Sequence, residues 1–128
     1  SVAYAKERSI FGRGSIGGYQ AIQHPLAAIK VRSEAVRMLA YKAAWAFDQG
    51  WASSDVGPIA NMAKFLAAEL GVEAADRAIQ THGGYGFSEE YGIIHYYIGA
   101  RLLRTAPINA EMILNYVAEH NLGLPKSY

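Results

Sequence analysis

The residues with the clearest capacity for chemistry gather in one stretch, Gln80-Thr81-His82-Gly83-Gly84-Tyr85-Gly86. Three glycines in four positions let the main chain turn sharply and come close to another group, and Gln80 and His82 place polar heads beside that bare backbone. Two roles fit these residues: a helix C-cap with its turn, or a turn that faces a ligand. Other chemistry-bearing residues do not assemble. His24, His82, His95 and His120 lack the spacing of a His-x-x-x-His pair and have no carboxylate at Glu-x-x-His spacing, so no metal site is expected. Ser9, Ser15 and Ser88 have neither a nucleophile elbow nor a neighbouring base, which removes nucleophilic catalysis. Gly12-Arg13-Gly14-Ser15-Ile16-Gly17-Gly18 reproduces the G-x-G-x-x-G spacing of a dinucleotide fingerprint. That fingerprint needs a buried strand in front of it, and here a charged helical segment precedes it, so the stretch reads as a flexible loop.

The elements that must position the glycine turn are helices. Residues 20–49 carry Ile22, Leu26, Ile29, Ser33, Val36, Ala40, Ala43 and Phe47 at alternating spacings of four and three, the inner stripe of one long amphipathic helix with Pro25 in its first turn. A linker over 50–55 follows, in which Ser53, Ser54 or Asp55 can cap the next helix. That helix covers 56–81 with Val56, Ile59, Ala63, Leu66, Leu70, Ala74 and Ala78 inward, and its alanines suit a close-packed central position. After the glycine turn, Ser88 is placed to cap a shorter helix over 89–104, with Tyr91, Ile94, Tyr97 and Leu102 along it. Pro107 then suits the first position of a last helix ending by 121–123, and 124–128 is a tail. Val2, Ala3 and Ala5 with Lys6, Glu7 and Arg8 read as the last turns of a helix that has no visible start, which suggests an N-terminal partner segment. With no strand pattern, the expected fold is all-α, an antiparallel up-and-down bundle of four helices preceded by a helical stub, in a single domain over 1–128.

Composition narrows the function class. Twelve Lys and Arg against eleven Asp and Glu leave a formal net charge of +1, so there is no basic field to attract nucleic acid. No apolar run is long enough to span a bilayer, and the chain opens without the shape of a signal peptide. The lack of cysteine removes thiol chemistry and fits a reducing compartment, for which the cytoplasm is the default.

Five motifs in order carry a family resemblance: Arg8-x-x-Phe11-Gly12, Gln20-Ala21-Ile22-Gln23, Tyr41-Lys42-Ala43-Ala44-Trp45, Gln80-x-His82-Gly83-Gly84-Tyr85-Gly86 and Glu90-Tyr91. Together they resemble the C-terminal helical domain of acyl-CoA dehydrogenases over nearly the whole chain. The resemblance implies an FAD shared between domains and subunits, with the N-terminal helical domain and middle β-domain outside this chain. It implies an acyl-CoA substrate, electron-transfer flavoprotein or a similar acceptor, and a homo-oligomer, dimeric or tetrameric. By the same resemblance, Arg8 contacts the FAD pyrophosphate, with Ile10 in place of the usual hydroxyl and Phe11 beside it. Tyr19 and Gln20 fall at the adenosine side, after a loop one residue longer than usual. Gln80, His82, Gly83 and Gly84 meet the FAD of a neighbouring subunit, and Asn109 is a further cofactor contact.

One departure bears on mechanism. Many members read Tyr-Glu-Gly-Thr at the start of the last helix, the Glu taking the substrate's α-proton while a hydride leaves the β-carbon for flavin N5. Here the aligned residues are Ala106-Pro107-Ile108-Asn109, so no catalytic residue is assigned within the chain. Three functions stay open: an acyl-CoA dehydrogenase whose base lies elsewhere, a flavin oxidase or monooxygenase of the same fold, and a non-catalytic helical assembly module.

Overall fold

The computed structural model describes residues 1–127, and Tyr128, the end of the expected tail, lies outside the described residues. The described residues form five α-helices: α1 (Val2–Glu7), α2 (Gln20–Asp48), α3 (Ser53–His82), α4 (Ile93–Thr105) and α5 (Ala110–His120). Two 3-10 turns join them, at Ile16–Gly18 and Gly83–Phe87. Among the described residues there is no strand, only an isolated antiparallel bridge between Ser9 and Ser15. The all-α expectation holds, with α1 as the stub and α2 to α5 as the four helices behind it.

Helix α3 lies at the centre, with α2, α4 and α5 each packed on it. Small residues permit this. Ala63 and Ala75 of α3 are buried, and a β-carbon placed on Gly71 would meet the Ala100 methyl of α4 at 3.7 Å, an ordinary contact. The core is thin for that reason. Its buried apolar members are Ala5, Ala43, Ala46, Ala63, Ala75 and Ala110 with Ile16, Ile59, Leu70 and Ile113. Larger apolar side chains such as Met38, Tyr41, Trp45, Tyr96, Leu102 and Leu103 stay exposed. At the surface, Arg32 of α2 forms a two-pronged ion pair with Glu73 of α3, one prong 2.7 Å long, and Arg104 of α4 pairs with Glu69 of α3.

Several boundary expectations are corrected. Pro25 is the sixth residue of α2 rather than part of its first turn, because extended Tyr19 starts the helix and its carbonyl accepts from the Ile22 and Gln23 amides. The inner line of α2 passes through Leu39 and Ala46, whereas Ala40 is exposed and Phe47 is 73% exposed. Leu66 of α3 likewise faces outward. Helix α3 starts at Ser53, so neither Ser53, Ser54 nor Asp55 is its cap; the Ala52 carbonyl accepts from the Asp55 and Val56 amides instead. Ser88 does not cap α4. Its hydroxyl accepts from the Glu90 amide inside a turn, and Gly92, left-handed at φ 62°, delays the helix to Ile93. Pro107 lies outside α5: Asn109 caps this helix, its side-chain oxygen accepting from the Met112 amide at 2.8 Å.

Candidate functional site

The glycine turn forms one wall of a groove of about 760 Å³ at the end of the bundle. Gly83, at φ 61°, ends α3, and its amide donates to the Ile79 carbonyl, so the C-cap reading of this glycine is correct. The same turn is open on its outer side. A β-carbon on Gly83 or Gly84 would meet no atom within 4 Å, and both residues line the groove. The C-cap and the ligand-facing turn are therefore compatible within one element.

Arg8 stands in the same lining, just past the end of α1. Its guanidinium carbon lies 6.0 Å from the centre of the Tyr85 ring. Among the described residues no aspartate or glutamate lines the groove, and the remaining surface is largely apolar, from Ile10, Ile16, Tyr19, Ile22 and Tyr85. A cation and an exposed main-chain turn within apolar walls suit a ligand that has an anionic centre between apolar or aromatic ends.

His82 is the one buried polar side chain among the described residues, at 6% exposure. Its Nδ1 donates to the Ala78 carbonyl at 2.7 Å, one turn back in α3. The imidazole stacks on Tyr4 with centroids 4.2 Å apart, and Tyr91 stands edge-on to both rings at 5.7 Å. Tyr85 adjoins Tyr91 at 5.3 Å.

The groove brings together Arg8, Ile10, Tyr19, Gln80, His82, Gly83 and Gly84 of the residues singled out from the sequence. Gln20 is exposed at the start of α2 and is not part of the lining. Phe11 does not pack beside Arg8. At φ 56° and 87% exposure it caps an outward hook held by a hydrogen bond from the Ser9 hydroxyl to the Gly14 carbonyl, and with Ile10, Arg13 and Tyr19 it borders an adjoining depression. Asn109 borders a separate polar depression with Arg101, Arg104, Thr105, Ala110 and Glu111. The sequence reading missed Tyr4 and gave Tyr85 no role of its own. Tyr4 was detectable in principle, since it stands four residues before Arg8 on one helical turn.

The family model described as the acyl-CoA dehydrogenase C-terminal domain matches residues 1–122. The acyl-CoA dehydrogenase FadE12 of Mycobacterium tuberculosis (strain ATCC 25618 / H37Rv) is 43% identical over 130 residues, covering 100% of this chain and 32% of the relative. Butyryl-CoA dehydrogenase from Megasphaera elsdenii matches with a TM-score of 0.87 and 32% identity, over 96% of this chain and 31% of that one. The FAD complex of PigA gives the same TM-score at 30% identity, over 96% and 31%. The chain belongs to the acyl-CoA dehydrogenase family. It corresponds to the C-terminal helical domain, and it spans about a third of the length of the relatives it matches.

Proposed function

We propose that this chain works as the C-terminal part of an FAD-dependent acyl-CoA dehydrogenase, joined to an N-terminal helical and a middle β-domain, and that its groove receives the diphosphate and adenosine of FAD. The observation that carries the reading is the placement of Arg8 and the bare Gly83–Gly84 turn in one groove whose lining, among the described residues, has no aspartate or glutamate. The residues fit the cofactor. Arg8 supplies the charge for a diphosphate, the glycines leave room that a β-carbon would fill, and Tyr19, Ile22 and Tyr85 offer apolar surface for the adenosine. Gln80 adds an amide at the rim, and Asn109 retains its side-chain NH2 for a contact at the other depression. Bound flavin supplies the hydride acceptor for α,β-dehydrogenation of an acyl-CoA thioester. Pro107 cannot take the α-proton, so the base lies elsewhere than at this position. Electron-transfer flavoprotein or a similar acceptor reoxidises the enzyme.

Exposed Tyr96, Leu102 and Leu103 on α4 and Met38, Tyr41 and Trp45 on α2 give the bundle more apolar surface than its own helices cover. That surplus suits a homo-oligomer, dimeric or tetrameric, in which Gln80 and Gly84 serve the FAD of an adjacent subunit while Arg8 holds the pyrophosphate. Among the described residues no helix is long and apolar enough to cross a membrane. Expression of the full-length protein, with flavin stoichiometry read by absorbance and acyl-CoA-dependent bleaching of the flavin, tests the reading. A flavin-free protein, or one whose flavin no acyl-CoA bleaches, would overturn it.

A flavin oxidase or monooxygenase of the same fold is the second reading, favoured by the absence of a carboxylate from Ala106-Pro107-Ile108-Asn109. Reoxidation of the reduced flavin by oxygen within seconds, without a protein acceptor, would select it.

A further inference from the structure

We infer that the Tyr4–His82 ring stack is a positioning clamp, which sets Arg8 against the Gly83–Gly84 turn so that one anionic ligand can meet both. The inference rests on the groove being the FAD site.

Within this chain α1 covers Val2–Glu7 and is held on two sides. On one side, Ala5 is 2% exposed beneath the first 3-10 turn, and a β-carbon on Gly17 would lie 2.9 Å from the Ala5 carbonyl. On the other side, Tyr4 stacks on His82. Each ring is joined closely to one wall of the groove. The Tyr4 carbonyl accepts the Arg8 amide at 2.8 Å, so the position of Tyr4 fixes where the chain delivers Arg8. His82 immediately precedes Gly83, and the bond from Nδ1 to the Ala78 carbonyl holds its ring to the last turn of α3. The stack therefore links residue 8 to residue 83 across the groove.

Tyr91 and Tyr85 complete the arrangement. Tyr91 closes the edge of the stack, and the Tyr85 ring adjoins Tyr91 and has the Arg8 guanidinium over it. The cation is thus oriented by an aromatic face before any phosphate arrives, a contact that needs no competing carboxylate. A ligand meeting a preset cation loses less conformational freedom on binding than one that must order a loose arginine. Tyr4 and His82 line the groove as well, and the role assigned to their stack is to position Arg8 and Gly84, which the coupling to Arg8 separates from direct contact with the ligand.

A double-mutant cycle on FAD affinity of the full-length protein tests this, with Arg8→Ala measured in the wild-type, Tyr4→Leu and His82→Ala backgrounds. Tyr4→Leu alone is expected to weaken FAD binding about tenfold with unchanged helix content by circular dichroism. Arg8→Ala is expected to cost at least fivefold less affinity in the Tyr4→Leu background than in the wild type, because contacting or commonly positioned groups are not additive. His82→Phe, which keeps a ring against Tyr4 and loses the Nδ1 donor, should restore most of the binding lost in His82→Ala. Additive losses, with Arg8→Ala equally damaging in all backgrounds, would overturn the clamp while leaving the FAD site intact. Absence of FAD from the wild type would overturn the site itself and the clamp with it.

Discussion

A β-carbon built on Gly86 would lie 2.8 Å from the Cα of Ile79 and 2.9 Å from its carbonyl oxygen. Gly86 therefore presses its bare backbone against α3, which folds the Gly83–Phe87 turn back along the helix it has just left. Two residues earlier, Gly84 faces open space. Neighbouring glycines in one turn thus answer different demands, one for contact with the fold and one for access from outside.

Substitution should separate these demands. Gly86→Ala is expected to destabilise the protein by about 1–3 kcal/mol, since backbone atoms cannot move aside as a flexible side-chain end could. Gly84→Ala should leave the thermal unfolding midpoint nearly unchanged, and Gly84→Val should reduce FAD retention while the helices remain by circular dichroism. A Gly84→Val protein that holds flavin at wild-type affinity would show that the turn only caps a helix.

Arg8→Ala in the full-length protein should weaken FAD binding by about 1.5–3 kcal/mol, the usual range for a hydrogen bond to a charged group. Arg8→Lys should recover part of this, because a lysine restores the charge without the planar donor fork. Flavin content after dialysis, followed by titration of the apoprotein, measures both.

Glu111 occupies the first turn of α5, where a carboxylate is favoured by the helix dipole. It is also the nearest carboxylate along the chain to the position at which many family members carry the base. As a helix-end group, Glu111→Gln should retain most of kcat. A loss of ~10³-fold or more with full flavin content would make Glu111 the base.

Hydrogen bonds from Lys30 and Arg37 hold the Glu34 carboxylate at about 2, below its ordinary 4.5. A carboxylate lowered on folding contributes stability above its unfolded value, and the contribution fades as the pH falls from about 4.5 toward 2. Arg32 lowers Glu73 in the same direction. Glu34→Gln should therefore shift the urea midpoint downward at pH 7 by a small amount, as surface pairs do, and have no effect near pH 2. An equal shift at both pH values would assign the effect of the substitution to packing.

The chain alone should bind FAD weakly and oxidise no acyl-CoA, because a cofactor shared among domains loses much of its buried surface when two of them are missing. Little heat is expected on titrating FAD into it by calorimetry. Sub-micromolar binding, or acyl-CoA-dependent dye reduction, would contradict this.

The helical character of the chain and the extent of its two long helices were legible in the order of residues, because periodicity and propensity act over a few neighbours. So was the break at Gly83, whose left-handed backbone is a local demand. Arg8 and the Gln80–Gly84 stretch were legible as candidates through their motifs, and Arg8, Gln80, His82, Gly83 and Gly84 line one groove. What the order of residues did not disclose are relations between distant positions and between competing local choices. The phase of α2 passes through Leu39, Ala43 and Ala46 and leaves Phe47 exposed, a choice set by how the helix packs on its neighbours, and periodicity alone cannot weigh that. Gly92 and Asn109 set the starts of α4 and α5 against the claims of Ser88 and Pro107, since several residues can begin a helix and packing selects among them. The stack of Tyr4 on His82, and with it the meeting of Arg8 and Gly84 in one groove, exists only once α1 folds back onto the end of α3. Sequence spacing encodes a helix face, but a contact between residues 4 and 82 depends on every intervening turn, and only the tertiary structure decides it.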